Sequence, residues 1–327
     1  MKGEIIRLLK ENIGQFISGE KISQKLGVSR TAVWKYINTL KKEGYQLESL
    51  PRKGYRLISS PDLLTYEEVE AYLNTDFIGR RIYYYDSLES TNIKARDIAL
   101  EEEEGTVIIA EEQTGGKGRL GRNWISPKGK GIWMSIILKP NLDPSKVAKI
   151  TLIGAAAVNQ GLKDLGIKSQ IKWPNDVVIG HKKVCGILTE MSCELNMINY
   201  VIMGMGINVN LDEGDFPKEL AHKATSLKEV VGKEIDRKKL LANILNHFEK
   251  LYIPFKERED ISKTIEICRG ESALLGQEVR IIRGGIERTG KALDIDDEGQ
   301  LIVEYGNGER EAIFSGEVSI RGMEGYI

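Results

Sequence analysis

Apolar residues near the start recur every three to four positions, at Ile6, Leu9, Ile13 and Phe16, the spacing of one buried helix face. Ser18 precedes a short segment that turns Ile22 and Leu26 inward, and it stands where a helix cap belongs. Gly27 supplies a turn. Ser29 then caps a third helix whose Val33, Ile37 and Leu40 face a core, leaving Arg30, Thr31, Trp34, Lys35, Asn38 and Lys41 outside. Two helices about a glycine turn, the second with a basic outer face, predict a helix-turn-helix. Residues 45–50 and 54–57 read as short strands around a tip of Pro51, Arg52 and Lys53, which makes a wing.

Ser59, Ser60, Pro61 and Asp62 break the pattern before Thr65, a plausible cap, so a linker falls there. Beyond it strands at 83–85, 106–110, 131–138, 176–179, 184–191 and 200–210 mix with helices near 91–103, 145–165 and 237–256. This is mixed α/β without a regular βαβ alternation. From residue 271, short strands at 278–282, 290–295 and 301–305 are broken by turns at 296–299 and 306–308, predicting a small β-barrel. The expectation is a multidomain α+β protein: a winged helix-turn-helix over 1–61, a catalytic domain over 66–270 and a small barrel over 271–327.

With 327 residues, 41% of them hydrophobic and 29% charged, the chain can fill two or three ordinary cores. No run nears the roughly 18 apolar residues of a membrane span, and the charged start suits neither export nor anchoring, so a cytoplasmic protein without membrane contact is expected. Cys185, Cys193 and Cys268 form no Cys-x-x-Cys pair, which suits a reducing compartment. The three histidines lack ligand spacing, so no structural metal is expected. Net charge is only -1, but residues 1–60 hold twelve Lys and Arg against five Glu, a balance of +7 that leaves -8 for the rest. That asymmetry favours a polyanion partner for the N-terminal segment. DNA unites the basic helix with the basic wing tip, with Ser29, Arg30, Thr31, Trp34, Lys35, Asn38, Arg52 and Lys53 as contacts. Docking of another protein is the alternative use of such a module.

The chemistry concentrates in four motifs. Gly115, Gly116, Gly118 and Gly121 expose backbone N–H groups beside Lys117, Arg119 and Arg122, so this loop suits an anion, phosphate first. Its Gly-x-Gly-x-x-Gly string would have to open a helix to bind a dinucleotide, and the following Asn123-Trp124-Ile125-Ser126-Pro127 does not read as one. No Gly-Lys-Ser/Thr makes it a P-loop, and a flexible basic surface loop is the alternative. Lys172-Trp173-Pro174-Asn175-Asp176 sits at a strand-to-turn junction and could be a turn alone. Lys183 opens an apolar strand that contains Gly186, as a surface hairpin lysine would. Gly204 and Gly206 lie within a strand and permit close backbone approach.

Taken in order with Ser90-Thr91-Asn92 and Gln113, these motifs resemble the biotin-protein ligase family. The N-terminal head narrows the resemblance to its bifunctional members, the biotin operon repressors. It covers essentially the whole chain, including Ala224-Thr225-Ser226-Leu227 and residues 315–321.

The resemblance implies a central domain of the class II aminoacyl-tRNA synthetase/biotin-ligase type and an SH3-like C-terminal barrel. It implies that biotin and ATP give biotinyl-5′-AMP, with Mg²⁺ screening the triphosphate, and that the biotinyl group passes to a lysine of a biotin carboxyl carrier protein. Ser90, Thr91, Asn92 and Gln113 would hold the biotin head group, and Gly116, Lys117, Gly118 and Arg119 would fold over its carboxylate and the phosphate. Gly186, Gly204 and Gly206 would line the floor. Lys183 and Arg119 would be catalytic, the Lys183 ammonium offsetting the repulsion between carboxylate and α-phosphate. Arg119, Arg122, Trp124, Asn175 and Asn208 would lie on the adenylate side, with Asp176 a candidate Mg²⁺ contact. Lys117 departs from the family loop, which commonly has Arg; it keeps the charge and loses the planar fork. Biotinyl-5′-AMP would also promote a homodimer on operator DNA.

Overall fold

The computed structural model describes residues 1–314, 318–322 and 326, and it divides into two compact units, Met1–Ala71 and Tyr72–Ile327. The first unit contains α1 (Lys2–Glu11), α2 (Gly19–Leu26), α3 (Arg30–Lys42), β1 (Gln46–Leu50), β2 (Gly54–Ser59) and α4 (Tyr66–Val69). Ile5, Ile6, Leu9, Ile22, Val33, Ile37 and Leu40 form its core with Tyr45 and Leu57. The predicted caps are present: Ser18 Oγ accepts from Lys21 N and Ser29 Oγ from Ala32 N, each at 3.1 Å. Gly27 ends α2 in the left-handed region.

The first helix is shorter than its apolar spacing predicts. It stops at Glu11, where the Asn12 amide donates to the Leu8 carbonyl at 2.9 Å and Gly14 takes a φ of 77°. Ile13 is therefore exposed, Phe16 half-buried, and Ile17 enters the core as a strand residue paired with Tyr55. A competing side-chain bond and a glycine outweigh the periodicity. Glu68 of α4 is buried in this unit, accepting from the Tyr45 hydroxyl at 2.7 Å and pairing with Lys10 at 2.9 Å.

The second unit is built on a seven-stranded sheet. Its strands are β3 (Ile82–Tyr85), β4 (Val107–Ala110), β5 (Gly131–Leu138), β6 (Gln170–Lys172), β7 (Asp176–Ile179), β8 (Lys182–Glu194) and β9 (Met197–Asn208). Their order is β3-β4-β5-β9-β8-β7-β6, and all neighbours are antiparallel except β3 and β4. Strand alternation divides the sheet into two faces. On one, Ile202 packs with Ala95 of α5 (Thr91–Ile98) and with Ala99, which caps its C-terminus. On the other lies α6 (Ala148–Lys163), where a Cβ on Gly154 would meet Met203 Sδ at 2.9 Å. Helices α7 (Leu227–Val231), α8 (Arg237–Arg258) and α9 (Ser262–Gly270) follow, and Gly161 lets α6 approach Ile244 of α8.

The chain ends in β10 (Glu278–Arg283), β11 (Ile286–Ile295), β12 (Leu301–Tyr305), β13 (Arg310–Ile313) and β14 (Val318–Gly322), an antiparallel sheet of order β13-β12-β11-β10-β14. Among the described residues no pairing joins β13 to β14, so the predicted barrel is here an open five-stranded sheet. Trp173 Nε1 donates to the Gly299 carbonyl at 2.9 Å and ties this sheet to the loop after β6. Of the predicted motif at 315–321, residues 315–317 lie outside the described residues. No described helix is long and apolar enough to cross a membrane.

The wing depends on one backbone position. Gly54 has a φ of 101°, and a Cβ there would lie 2.0 Å from the Ile17 carbonyl oxygen. Gly54→Ala is expected to destabilise the first unit by about 3 kcal/mol, seen as a lower midpoint in its chemical unfolding while the second unit is unaffected. An unchanged midpoint would contradict this packing of wing against Ile17.

Candidate functional site

A cavity of about 370 Å³ opens on the glycine-bearing face of β8 and β9. The register pairs Gly186 with Gly206 and Leu188 with Gly204. Each glycine makes room for a specific neighbour. A Cβ on Gly204 would lie 2.1 Å from Asn92 Oδ1, one on Gly206 2.3 Å from Trp124 Nε1, and one on Gly186 2.8 Å from Lys183 Nζ.

One end of the cavity is polar and uncharged. Ser90 and Thr91 begin α5, and Gln113 Oε1 accepts from Thr91 N at 2.8 Å and Thr91 Oγ1 at 3.1 Å. Gln113 Nε2 donates to Ser126 Oγ at 3.0 Å, while the Ser135 hydroxyl lies 2.8 Å from Thr91 Oγ1 and 2.6 Å from Asn92 Oδ1. These side chains fix one another's orientation before any ligand arrives.

The glycine-rich loop closes one wall. Trp124 N donates to the Gly116 carbonyl, Gly118 N to the Arg122 carbonyl, and Lys117 bridges Asn123 in antiparallel fashion. The tip is a single 3₁₀ turn, Arg119–Gly121, with Leu120 at φ 58°. No helix opens from it, in keeping with the rejection of a dinucleotide fingerprint. Arg119 turns inward, and its Nη1 donates to Asn175 Oδ1 at 2.9 Å. Burial lowers its pKa, partly opposed by the charge of Asp176.

The other end is cationic. Lys117, Arg119, Arg122, Lys172, Lys183, Lys223 and Arg321 line the cavity, against Asp176 as the one acidic residue among the described lining. Lys183 Nζ lies 2.6 Å from Asp176 Oδ1 and 5.0 Å from the centre of the Trp124 ring. The Tyr326 hydroxyl donates to Asp176 Oδ2. Burial by itself would raise the Asp176 pKa, but the Lys183 charge and the bonds from Lys183 and Tyr326 more than offset it and hold the carboxyl below its ordinary range. Lys172 Nζ donates to the Tyr326 carbonyl at 2.6 Å. Burial lowers its pKa from 10.5 to about 7, despite the opposing pull of Asp176.

All the ligand-site residues predicted from sequence line this cavity except Gly116, which is packed behind the loop where a Cβ would meet the Trp124 carbonyl at 2.6 Å. Asn175 Nδ2 is held by the Ile187 carbonyl at 3.0 Å and Asn208 Nδ2 by the Thr225 carbonyl at 3.1 Å. The sequence assigns no role to Lys172, although its motif stands out, nor to Ser135, Lys223, Arg321 or Tyr326. A lone serine within the otherwise apolar stretch of β5 was a readable signal for Ser135. Nothing local marks Lys223 or Tyr326.

The candidate DNA contacts lie in the first unit. Ser29, which caps α3, and Arg30, Thr31, Trp34 and Lys35 on it are exposed, Asn38 is half-buried, and Arg52 and Lys53 are exposed at the wing tip. Trp34 keeps 56% of its surface in solvent, unusual for so large an apolar side chain.

Together these features define a class: a helix-turn-helix head followed by an α/β unit whose cleft joins a neutral polar pocket to a cluster of cations. Family models match the same parts: HTH domain over residues 3–56, Biotin/lipoate A/B protein ligase family over 84–208, and Biotin protein ligase C terminal domain over 274–321. The chain is 43% identical over 326 residues to the bifunctional ligase/repressor BirA of Bacillus subtilis (strain 168), covering 98% of both chains. It is 28% identical to BirA of Escherichia coli (strain K12), covering 95% of both. The solved biotin protein ligase from Aquifex aeolicus in complex with biotin and ATP matches with a TM-score of 0.65 at 31% identity, covering 74% of this chain and 99% of that one. The chain belongs to the biotin protein ligase family, and its likeness to the bifunctional ligase/repressors runs end to end.

Lys172 makes the cationic end sensitive to pH. The unfolded chain holds this proton up to pH 10.5 and the folded one only to about 7, so the residue destabilises the fold fully below pH 7 and progressively less as pH rises towards 10.5. An anion bound beside it would restore the proton. Pyrophosphate binding at pH 8 should therefore take up nearly one proton more in the wild type than in Lys172→Met, measured by calorimetry in two buffers of different ionisation enthalpy. Equal uptake would show that Lys172 does not titrate at this site.

Proposed function

We propose that this chain couples biotin to ATP as biotinyl-5′-AMP with release of pyrophosphate, transfers the biotinyl group to one lysine of a biotin carboxyl carrier protein, and represses biotin genes as a DNA-bound homodimer with biotinyl-5′-AMP as corepressor. The observation that carries this reading is the division of the cavity. A neutral hydrogen-bonding pocket suits a polar head group, a cationic cluster suits phosphates, and Lys183 belongs to that cluster.

In the first step a biotin carboxylate oxygen bonds to the α-phosphorus and the bond to pyrophosphate breaks. Both reactants are anions. Lys183, now paired with Asp176, turns its ammonium to the carboxylate and α-phosphate and offsets their repulsion, acting by charge and not as a nucleophile. Arg119 shares the phosphate charge through its fork, while Lys117 makes a single-point contact. In the second step the carrier amine attacks the acyl carbon, AMP leaves, and the amine gives up a proton. Ser90, Thr91, Asn92 and Gln113 hold the head group above Gly186, Gly204 and Gly206, with Gly116 and Gly118 shaping the loop over it. Arg122, Trp124, Asn175 and Asn208 contact the adenylate. Among the described residues no three ligating groups cluster for a metal, so Mg²⁺ suits this site only as an ion carried largely by the triphosphate, with Asp176 the carboxylate available to it. The ion would screen phosphate charge.

The same reading takes the sheet of the second unit as class II synthetase/biotin-ligase-like and its C-terminal sheet as an SH3-like barrel opened between β13 and β14. It puts the protein in the cytoplasm, where its carrier and operator are. Two α3 helices of a dimer would enter half-sites on one DNA face, a multiple of roughly 34 Å apart, with phosphate contacts that make binding steeply salt-dependent.

Incubation with Mg²⁺-ATP, apo carrier protein and either biotin or lipoate should label the carrier with biotin alone; lipoate transfer would overturn the substrate assignment. Lys183→Ala is expected to slow adenylate formation by roughly a hundredfold or more while leaving weak nonspecific DNA binding, and retained adenylation would refute its role. Biotinyl-5′-AMP should tighten both dimerisation and operator binding in sedimentation and filter-retention measurements. Indifference of both would remove the corepressor.

A further inference from the structure

Asn92 lines the cavity, but its orientation is set by a residue outside the lining. Its amide nitrogen faces the Glu190 carboxylate at 2.7 Å and the Leu188 carbonyl at 3.5 Å. Both are acceptors only, so the NH₂ group must lie on their side. Its Oδ1 is left facing the Ser135 hydroxyl at 2.6 Å and lies against the bare backbone of Gly204, both Asn92 and Gly204 lining the cavity. An amide oxygen accepts two hydrogen bonds, and Ser135 takes one of them.

Asn92 is only 8% exposed, whereas Glu190 stands exposed on β8. Without Glu190, the NH₂ group would keep only the long contact to Leu188. A flipped amide would then compete, because the Ser135 oxygen can accept as readily as its hydrogen can donate. The flip would present an N–H to the ligand in place of an oxygen.

We infer that Glu190 is a positioning residue: it locks the Asn92 amide with its oxygen toward the head-group pocket and thereby selects a head group that presents an N–H donor. The inference rests on the reading of this end of the cavity as the biotin pocket. The ureido ring of biotin has two N–H groups, and one of them would meet the free lone pair of Asn92. Leu188 and Glu190, two residues apart on β8, share the strand face that carries Gly186, so Glu190 reaches Asn92 without entering the pocket.

The test uses the full chain, with biotin affinity measured by calorimetry and adenylate formation by pyrophosphate release. Glu190→Ala should raise the Kd and KM for biotin roughly tenfold, the worth of one charge-assisted hydrogen bond, with a much smaller change in kcat. Glu190→Gln retains an acceptor and should recover most of the affinity. Glu190→Lys offers only donors, favours the flipped amide and should bind most weakly. Selectivity separates positioning from simple clamping. Of the two biotins methylated on one or the other ureido nitrogen, the wild type should reject the one that blocks Asn92, and Glu190→Lys should narrow that preference. Melting temperatures of the variants should match the wild type. If biotin binds the wild type while the Ala and Lys variants keep its affinity and selectivity, or if all three variants lose affinity alike, Glu190 does not orient Asn92 and the biotin reading stands. If the wild type fails to bind biotin, the proposed function falls and takes this inference with it.

Discussion

One carboxylate holds the cationic end of the second unit together. Asp176 pairs with Lys183 at 2.6 Å, accepts from Tyr326, and supports the charges of Lys172 and Arg119 at a distance. Among the described lining residues seven are basic and Asp176 alone is acidic, which leaves the cavity short of negative charge. Burial first, and then the neighbouring charges of Arg321, Lys183 and Arg122, lower the Lys172 pKa to about 7. An anionic ligand would complete this charge balance.

That arrangement needs space, which the sheet provides on only one face. Gly186, Gly204 and Gly206 leave a hollow where side chains would otherwise fill it, and Trp124, Asn92 and Lys183 move into contact with bare backbone. On the opposite face Ile187, Met203 and Met205 pack against α6 without such a gap. One pair of strands thus supplies both a close-packed core and the floor of the cavity, because successive residues point to opposite sides.

The two units present positive charge differently. In the first, cations stand exposed on α3 and the wing tip, where their attraction for a polyanion is strong at low salt and screened by added ions. In the second, Arg119, Lys172 and Lys183 are largely withdrawn from solvent, so their interactions are screened much less and depend on geometry.

Local chemistry was legible in the sequence. The caps Ser18 and Ser29, the turn at Gly27, the outward face of α3 and most central strands follow from periodicity and side-chain bonding over a few residues. The glycine loop and the glycine strands announced an anion and a close approach, while the nature of the acid came from the family resemblance. Periodicity misled where a nearby glycine and Asn12 ended α1, sending Ile13 into solvent. Contacts between distant residues were hidden. Arg119 meets Asn175 across 56 positions, Asn92 meets Glu190 across 98, and Tyr326 reaches Asp176 across 150. Sequence by itself determined which residue types and elements this protein has; the tertiary structure decided which charges share a cavity, because burial and Coulomb interaction depend on distance in space and not along the chain.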